Sequence, residues 1–313
     1  MSHEPHLTHG DVKAAADRIE GDVRPMVVAP AGGDGARLWF ALEFLQHTGT
    51  FKARGAANFI RAHRDAGALP DAGVTIASGG NAGLACAWAA QRQGVRATVF
   101  LPANAPAVKV ARLRSYDADV RLVGAEYAEA LAACAEFAAD TGALASHAYD
   151  HPLIAAGAGT LMEEVHRLLP DLDTVVVSVG GGGLFAGVAT SAHHHGVRVV
   201  AVEPEHCRAL NAALEAGEVV DVRVESVAAD SLGARRVTPM ALYAAQRYDV
   251  RSVLVPDSAI VRARRALWDD HRLAVEHAAA TALAGLTAYR PADGEKVAVV
   301  LCGANTDPGD LSA

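Results

Sequence analysis

The chain has 313 residues, a formal net charge of −8, 51% hydrophobic residues and 20% charged ones. That length can bury a large core and predicts two lobes, the apolar fraction excludes a long disordered tail, and the acidic balance excludes the basic face a nucleic-acid binder needs. No run is long and apolar enough to span a membrane, and the opening MSHEPHLTHG has neither the basic nor the apolar region of an export signal, so a cytoplasmic protein is expected.

In chain order, the first informative segment is HTGTFKARGAANF, residues 47 to 59. Of 28 Lys plus Arg, only Lys13, Lys52, Lys109 and Lys296 are lysine. Arginine stays protonated at any working pH, whereas a desolvated lysine loses its proton and attacks a carbonyl. Lys52, directly after Phe51, therefore points to amine chemistry, with a snorkelling surface lysine as the alternative. Beyond it, VTIAS (74–78) predicts a strand and NAGLACAWAAQRQG the helix after it. RATVFLP (96–102) and DVRLVG (119–124) are strands, each followed by a helical run, AVKVARLRSYDA and YAEALAACAEFAADTG, the latter ending near Gly142. LMEEVHRLLP is a helix stopped by Pro170, TVVVSVG (174–180) a strand, and the helix from Leu184 leads to the strand VRVVAVEP (197–204). The last strand is KVAVVLCG (296–303). Continuous apolar strands separated by helices predict α/β architecture with mostly parallel sheets, in two lobes centred on residues 60–145 and beyond 150. The cleft between such lobes is the natural site.

Three strand ends carry polar or flexible groups. VSVGGGGLFAGVA runs from a strand through Gly180, Gly181, Gly182 and Gly183 into a helix at Leu184. Glycines let backbone N–H groups approach an anion closely at a helix start. The segment lacks the Gly-Lys-Ser/Thr of a nucleoside-triphosphate loop, but Gly181, Gly183 and Ala186 fit a dinucleotide pattern, with Glu203 where a ribose-binding acid would sit. ASGGNAG brings Ser78, Gly79, Gly80 and Asn81 to a second junction, where a plain N-cap is the simpler reading. LCGAN ends a strand at Cys302, read alone as a small core residue. The four cysteines, Cys86, Cys134, Cys207 and Cys302, have no metal-ligand spacing and are expected as free thiols. The run His193, His194, His195 looks like a metal cluster but reads better as a solvated helix end, because consecutive helical residues diverge. An aldehyde for Lys52, one phosphate for the glycines and a polar aromatic ring between them together describe pyridoxal phosphate.

The motifs, in this order, resemble the fold type II pyridoxal-phosphate enzymes of the serine/threonine dehydratase group. TGTFKARGA resembles that family's Ser-Phe-Lys-x-Arg-Gly-Ala segment, SGGNAG its asparagine loop, GGGGL its phosphate cradle and LCGAN the strand end facing the pyridine nitrogen. The resemblance implies a tryptophan synthase β-like pair of open lobes: a large cofactor-binding domain from residues 1–60 and 148–313, and a small domain from 61–147. It implies Lys52 as Schiff-base lysine and sole catalytic base, with Phe51 beside the ring. Asn81 would bond the phenolic oxygen, Gly180 to Gly183 and Leu184 hold the phosphate, and Cys302 face the ring nitrogen. Ser78, Gly79, Gly80 and Asn81 would hold the substrate carboxylate.

Departures from the family pattern shape the functional expectation. Serine racemases place an acid/base serine where this chain has Gly79, so β-elimination of water from L-serine and/or L-threonine is favoured over racemisation. A structural cation would bind near Glu203, but Ala209 offers no side-chain ligand, which leaves at most a monovalent ion. His277 follows Glu276 where relatives often have proline, and Arg54 is expected to anchor the lysine segment. Asp230, Ser231 and Gly233 are expected to run past the ring. The resemblance also implies a homodimer. Hydroxyaspartate dehydratase, racemase, β-replacement and a nucleotide-binding Rossmann protein remain the alternatives.

Overall fold

The computed structural model describes residues 6–32 and 37–311, so the reading of the first ten residues falls partly outside it. The strands among the described residues are β1 Val28–Pro30, β2 Leu38–Ala41, β3 Val74–Ala77, β4 Ala97–Leu101, β5 Asp119–Leu122, β6 Leu144–Ala145, β7 Thr174–Ser178, β8 Arg198–Pro204, β9 Val250–Val255 and β10 Val297–Val300. They form a six-stranded sheet of order β1-β2-β10-β7-β8-β9 and a four-stranded sheet of order β5-β4-β3-β6. Every neighbouring pair is parallel except β1 with β2. The α/β class with mostly parallel sheets is therefore the observed one.

The strands β3, β4, β7 and β10 are buried at every position, because helices cover both faces, and their Val, Ile, Ala and Thr content is what such strands require. The edge strand β5 is exposed or half-buried throughout, and β9 is buried only at Val255. Their polar positions explain why β9 does not stand out in the sequence as the central strands do. Each sheet has its own core. Val175, Val177, Val200 and Val299 lie at the centre of the larger one, and Ile60, Ile76, Val99 and Leu113 in the smaller.

One helix sets the spacing between the key segments. Pro152–Leu168 begins well before LMEEV, at the His151 N-cap with proline in its first turn, and its early run IAAGAG is what lets backbones come close. A Cβ on Gly157 would lie 2.7 Å from the Arg54 carbonyl oxygen, and one on Gly187 would lie 2.2 Å from that of Ala155. The helix thus packs tightly against both the lysine-bearing helix Lys52–Asp65 and the helix Gly183–His194 that follows the glycine loop.

Candidate active site

Lys52 is the first residue of its helix, and the turn before it is pinned to the end of β10. Thr48 (φ 63°) and Gly49 (φ 76°) adopt left-handed conformations that reverse the chain. Thr50 pairs with Gly303 in an isolated antiparallel bridge. The Phe51 N–H donates to the Cys302 carbonyl at 3.0 Å, and the Ala304 N–H to that of Gly49 at 2.9 Å. These backbone links bring Lys52 and Cys302, 250 positions apart in sequence, to one strand end.

The Lys52 ammonium donates to the Ala148 carbonyl at 3.0 Å and lies 4.8 Å from the centre of the Phe51 ring. Desolvation pulls its pKa down from 10.5 to about 8, with Cys302 and Glu276 opposing part of the shift. A minor neutral fraction, far larger than an ordinary lysine has, therefore exists near neutral pH. A small cavity beside it is lined by Phe51, Gly55, Ala82, Ser146, His147 and Ala148. Cys302 is buried, with its sulfur 3.7 Å from the Ser178 hydroxyl at the end of β7. Burial pushes its thiol up to about 12, so it stays protonated.

Beyond Ser178 the chain passes through Gly180–Gly183. Gly182 has φ 96°, a conformation suited to glycine. A Cβ on Gly181 would fall 2.3 Å from the Tyr149 ring, and one on Gly183 2.6 Å from the Tyr149 carbonyl oxygen. No side chain caps the helix that starts at Gly183, and Leu184 behind it is buried. Its leading N–H groups and the positive end of its dipole are free to receive an anion.

The asparagine loop follows β3. The Gly80 N–H donates to the Ser78 hydroxyl at 3.4 Å, and Asn81 opens the next helix. The Asn81 amide donates to both Glu276 oxygens, at 2.9 and 3.1 Å, and its own oxygen accepts from the Asn305 amide at 2.7 Å. The Asn305 N–H donates to Glu276 at 3.0 Å, and the Ser231 hydroxyl reaches the same carboxylate at 3.5 Å. Burial raises the pKa of Glu276. This cluster ties the helix after β3 to the end of β10. Sequence reading noted Glu276 only as a retained neighbour of the site, and missed Asn305 and Tyr149. Asn305, three residues after Cys302, was the more readable of the two.

Other expected residues stand elsewhere. Glu203 is fully buried, and its oxygens accept from the N–H groups of Leu210 (2.7 Å) and Asn211 (2.8 Å) at the start of the helix Ala209–Ala216. Burial raises its pKa to about 7. Enclosed and engaged in this way, it does not offer a free carboxylate to a ribose, which removes the support for the dinucleotide reading. Arg54 is fully buried and bonds both Glu43 oxygens (2.7 and 3.1 Å) and Glu164 (2.5 Å).

The donor set suits pyridoxal phosphate: a desolvated amine for the aldehyde, uncapped N–H groups for the phosphate and a neutral thiol at the neighbouring strand end. Comparison with known proteins agrees. Residues 23–303 match the sequence profile of the family described as pyridoxal-phosphate dependent enzyme. An L-threonine ammonia-lyase of Geobacter sulfurreducens is 38% identical over 282 residues, covering 89% of this chain and 69% of that protein. The human protein called serine dehydratase-like is 35% identical, covering 87% of this chain and 86% of its own. The solved structure of maize serine racemase superposes with a TM-score of 0.90 at 28% identity, over 98% of this chain and 96% of that one.

Proposed function

Because the chain belongs to the pyridoxal-phosphate dependent enzyme family, we propose that it is a lyase that eliminates water from L-serine and/or L-threonine, the released enamine then hydrolysing to a 2-oxo acid and ammonia. When bound, the cofactor supplies an aldehyde that captures the substrate amine and a ring that withdraws electron density from its Cα.

The chain's own residues do the rest. The Gly180–Gly183 N–H groups and the helix dipole behind them hold the phosphate. Ser78, Gly79, Gly80 and Asn81 hold the substrate carboxylate. Phe51 covers one face beside the amine, and Leu184 backs the loop. Lys52 Nζ takes the Cα proton; its lowered pKa keeps part of it neutral and so able to act as a base. The Cys302 thiol, too weak an acid to ionise, would give the ring nitrogen a neutral neighbour and so limit how much charge the ring draws from Cα. That would favour prompt departure of the β-hydroxyl, which leaves as water with the proton held on Lys52 Nζ, over return of that proton to Cα. Gly79 provides no side chain to reprotonate the opposite face, which supports elimination over racemisation.

The desolvated Lys52 amine at the strand ends is the observation that carries this reading. Ammonia release across a panel of hydroxy amino acids tests it. L-Serine or L-threonine should give the fastest release; racemisation of serine with no ammonia, or release from hydroxyaspartate alone, would redirect the assignment. Three finer parts go with the proposal. A monovalent cation near Glu203 and a homodimer rest on the family resemblance. A cytosolic setting is supported by the four unpaired cysteines.

A further inference from the structure

The helix Gly183–His194 ends in the run His193, His194, His195. The solvated helix end expected from sequence holds for His193, which is exposed and stacks on Tyr248 at 4.2 Å. His195 is different. Its Nε2 lies 3.2 Å from both carboxylate oxygens of Glu163, in the helix Pro152–Leu168. From a third helix, His9–Ile19, the His9 Nε2 lies 3.0 Å from the same Glu163 Oε1. All three ligand-type groups sit within 4.8 Å of one another.

That carboxylate is crowded. Its Oε1 is approached by His9, by His195 and, at 2.5 Å, by the Ser191 hydroxyl, more donors than an oxygen with two lone pairs serves well. The two imidazole-to-carboxylate distances, 3.0 and 3.2 Å, suit a shared ion better. Zinc holds nitrogen and oxygen ligands at about 2.0–2.2 Å, which in a tetrahedron sets ligand atoms about 3.3 Å apart. Two further imidazoles orient the ligand rings: His194 stacks on His9 at 3.6 Å and His166 on His195 at 3.9 Å. The buried Nδ1 of His166 has no hydrogen-bond partner among the described residues. His9, Glu163 and His195 keep 23%, 23% and 17% of their side-chain surface, enough for an ion to enter and for water to complete its shell.

We propose that His9 Nε2, His195 Nε2 and the Glu163 carboxylate form a binding site for a divalent transition ion, zinc foremost, outside the catalytic cleft. Two imidazoles with one carboxylate match zinc chemistry and are a poor match for calcium or magnesium, which prefer oxygen. The ion would clip the helix His9–Ile19 onto the two helices that frame the glycine loop. That helix in turn holds the lysine-bearing helix through Arg18 and Asn58, 2.5 Å apart.

The test is a zinc titration of the chelator-treated holoenzyme, with bound metal counted by mass spectrometry. One equivalent per chain is expected. His9→Ala and His195→Ala should each weaken binding by more than the ~10–100-fold that losing an outer-shell partner costs. His193→Ala and Lys52→Ala should bind as the parent does. Cobalt in place of zinc should give the visible bands of a tetrahedral site in the parent protein, a readout that needs no variant to fold. Absence of stoichiometric zinc, an octahedral cobalt spectrum, or unchanged binding in both histidine variants would reduce the cluster to a hydrogen-bonded triad and overturn the proposal.

Discussion

Lys52 and Arg54 are both cations in the first turn of one helix, the first half-buried and the second fully enclosed, and their surroundings are opposite. Arg54 is fully enclosed; burial alone would weaken its hold on the proton, but Glu43 and Glu164 more than reverse this and raise its pKa. Lys52 has one carbonyl as hydrogen-bond partner, and desolvation wins over its more distant acidic neighbours, so its pKa falls to about 8. A buried cation with paired carboxylates is an anchor, and a desolvated amine without them is a reagent. The helix fixes the reagent by way of the anchor: Arg54 joins the segment before the lysine, through Glu43, to the helix Pro152–Leu168, through Thr160 and Glu164.

The largest expected effect separates the two roles outright. Lys52→Ala should cut ammonia release at least by the ~10²–10⁴-fold of a lost proton-transfer group, while urea unfolding shows no loss of stability. Arg54→Met should do the reverse in kind. Stranding Glu43 and Glu164 costs about 3–5 kcal/mol of unfolding free energy, and adding Glu43→Gln should recover part of it. A small loss in the single variant would mean that the buried carboxylates find other partners.

The third expectation is a pH slope. Between about 8 and 10.5 the unfolded chain holds a proton on Lys52 that the folded apoprotein does not. Apoprotein stability from this group should therefore rise with pH through that window, the penalty being full below it and gone above it. Lys52→Met should flatten that part of the stability profile. Smallest is Glu276→Gln. Glu276 favours the charged lysine, so removing its charge should move the midpoint for cofactor uptake by the apoprotein to lower pH. An unchanged midpoint would show that Glu276 is uncharged there, as its own raised pKa allows.

The parts of this comparison that the sequence revealed are those where chemistry and local pattern coincide. Lys52 stands out among arginines, and the central strands β3, β7 and β10 are apolar runs because both their faces are covered. Arg54 was readable as an anchor but its partners were not, since Glu164 lies 110 positions away. The Glu276 hub joins Asn81 from 195 positions off, and no local periodicity reports such a contact. The short or half-exposed strands β1, β6 and β9 lack the continuous apolar run that marks the others, whereas β2 is apolar throughout but only half of it is buried. The histidine run looked solvated because its partners, His9 and Glu163, come from other helices.

The central claim is a covalent link between the cofactor aldehyde and one amine. Treating the purified, cofactor-loaded protein with borohydride and mapping its peptides tests that link directly. Loss of the visible colour and a single pyridoxyl-bearing peptide, modified at Lys52, are expected. A modification at Lys13, Lys109 or Lys296 instead, or none at all, would contradict it.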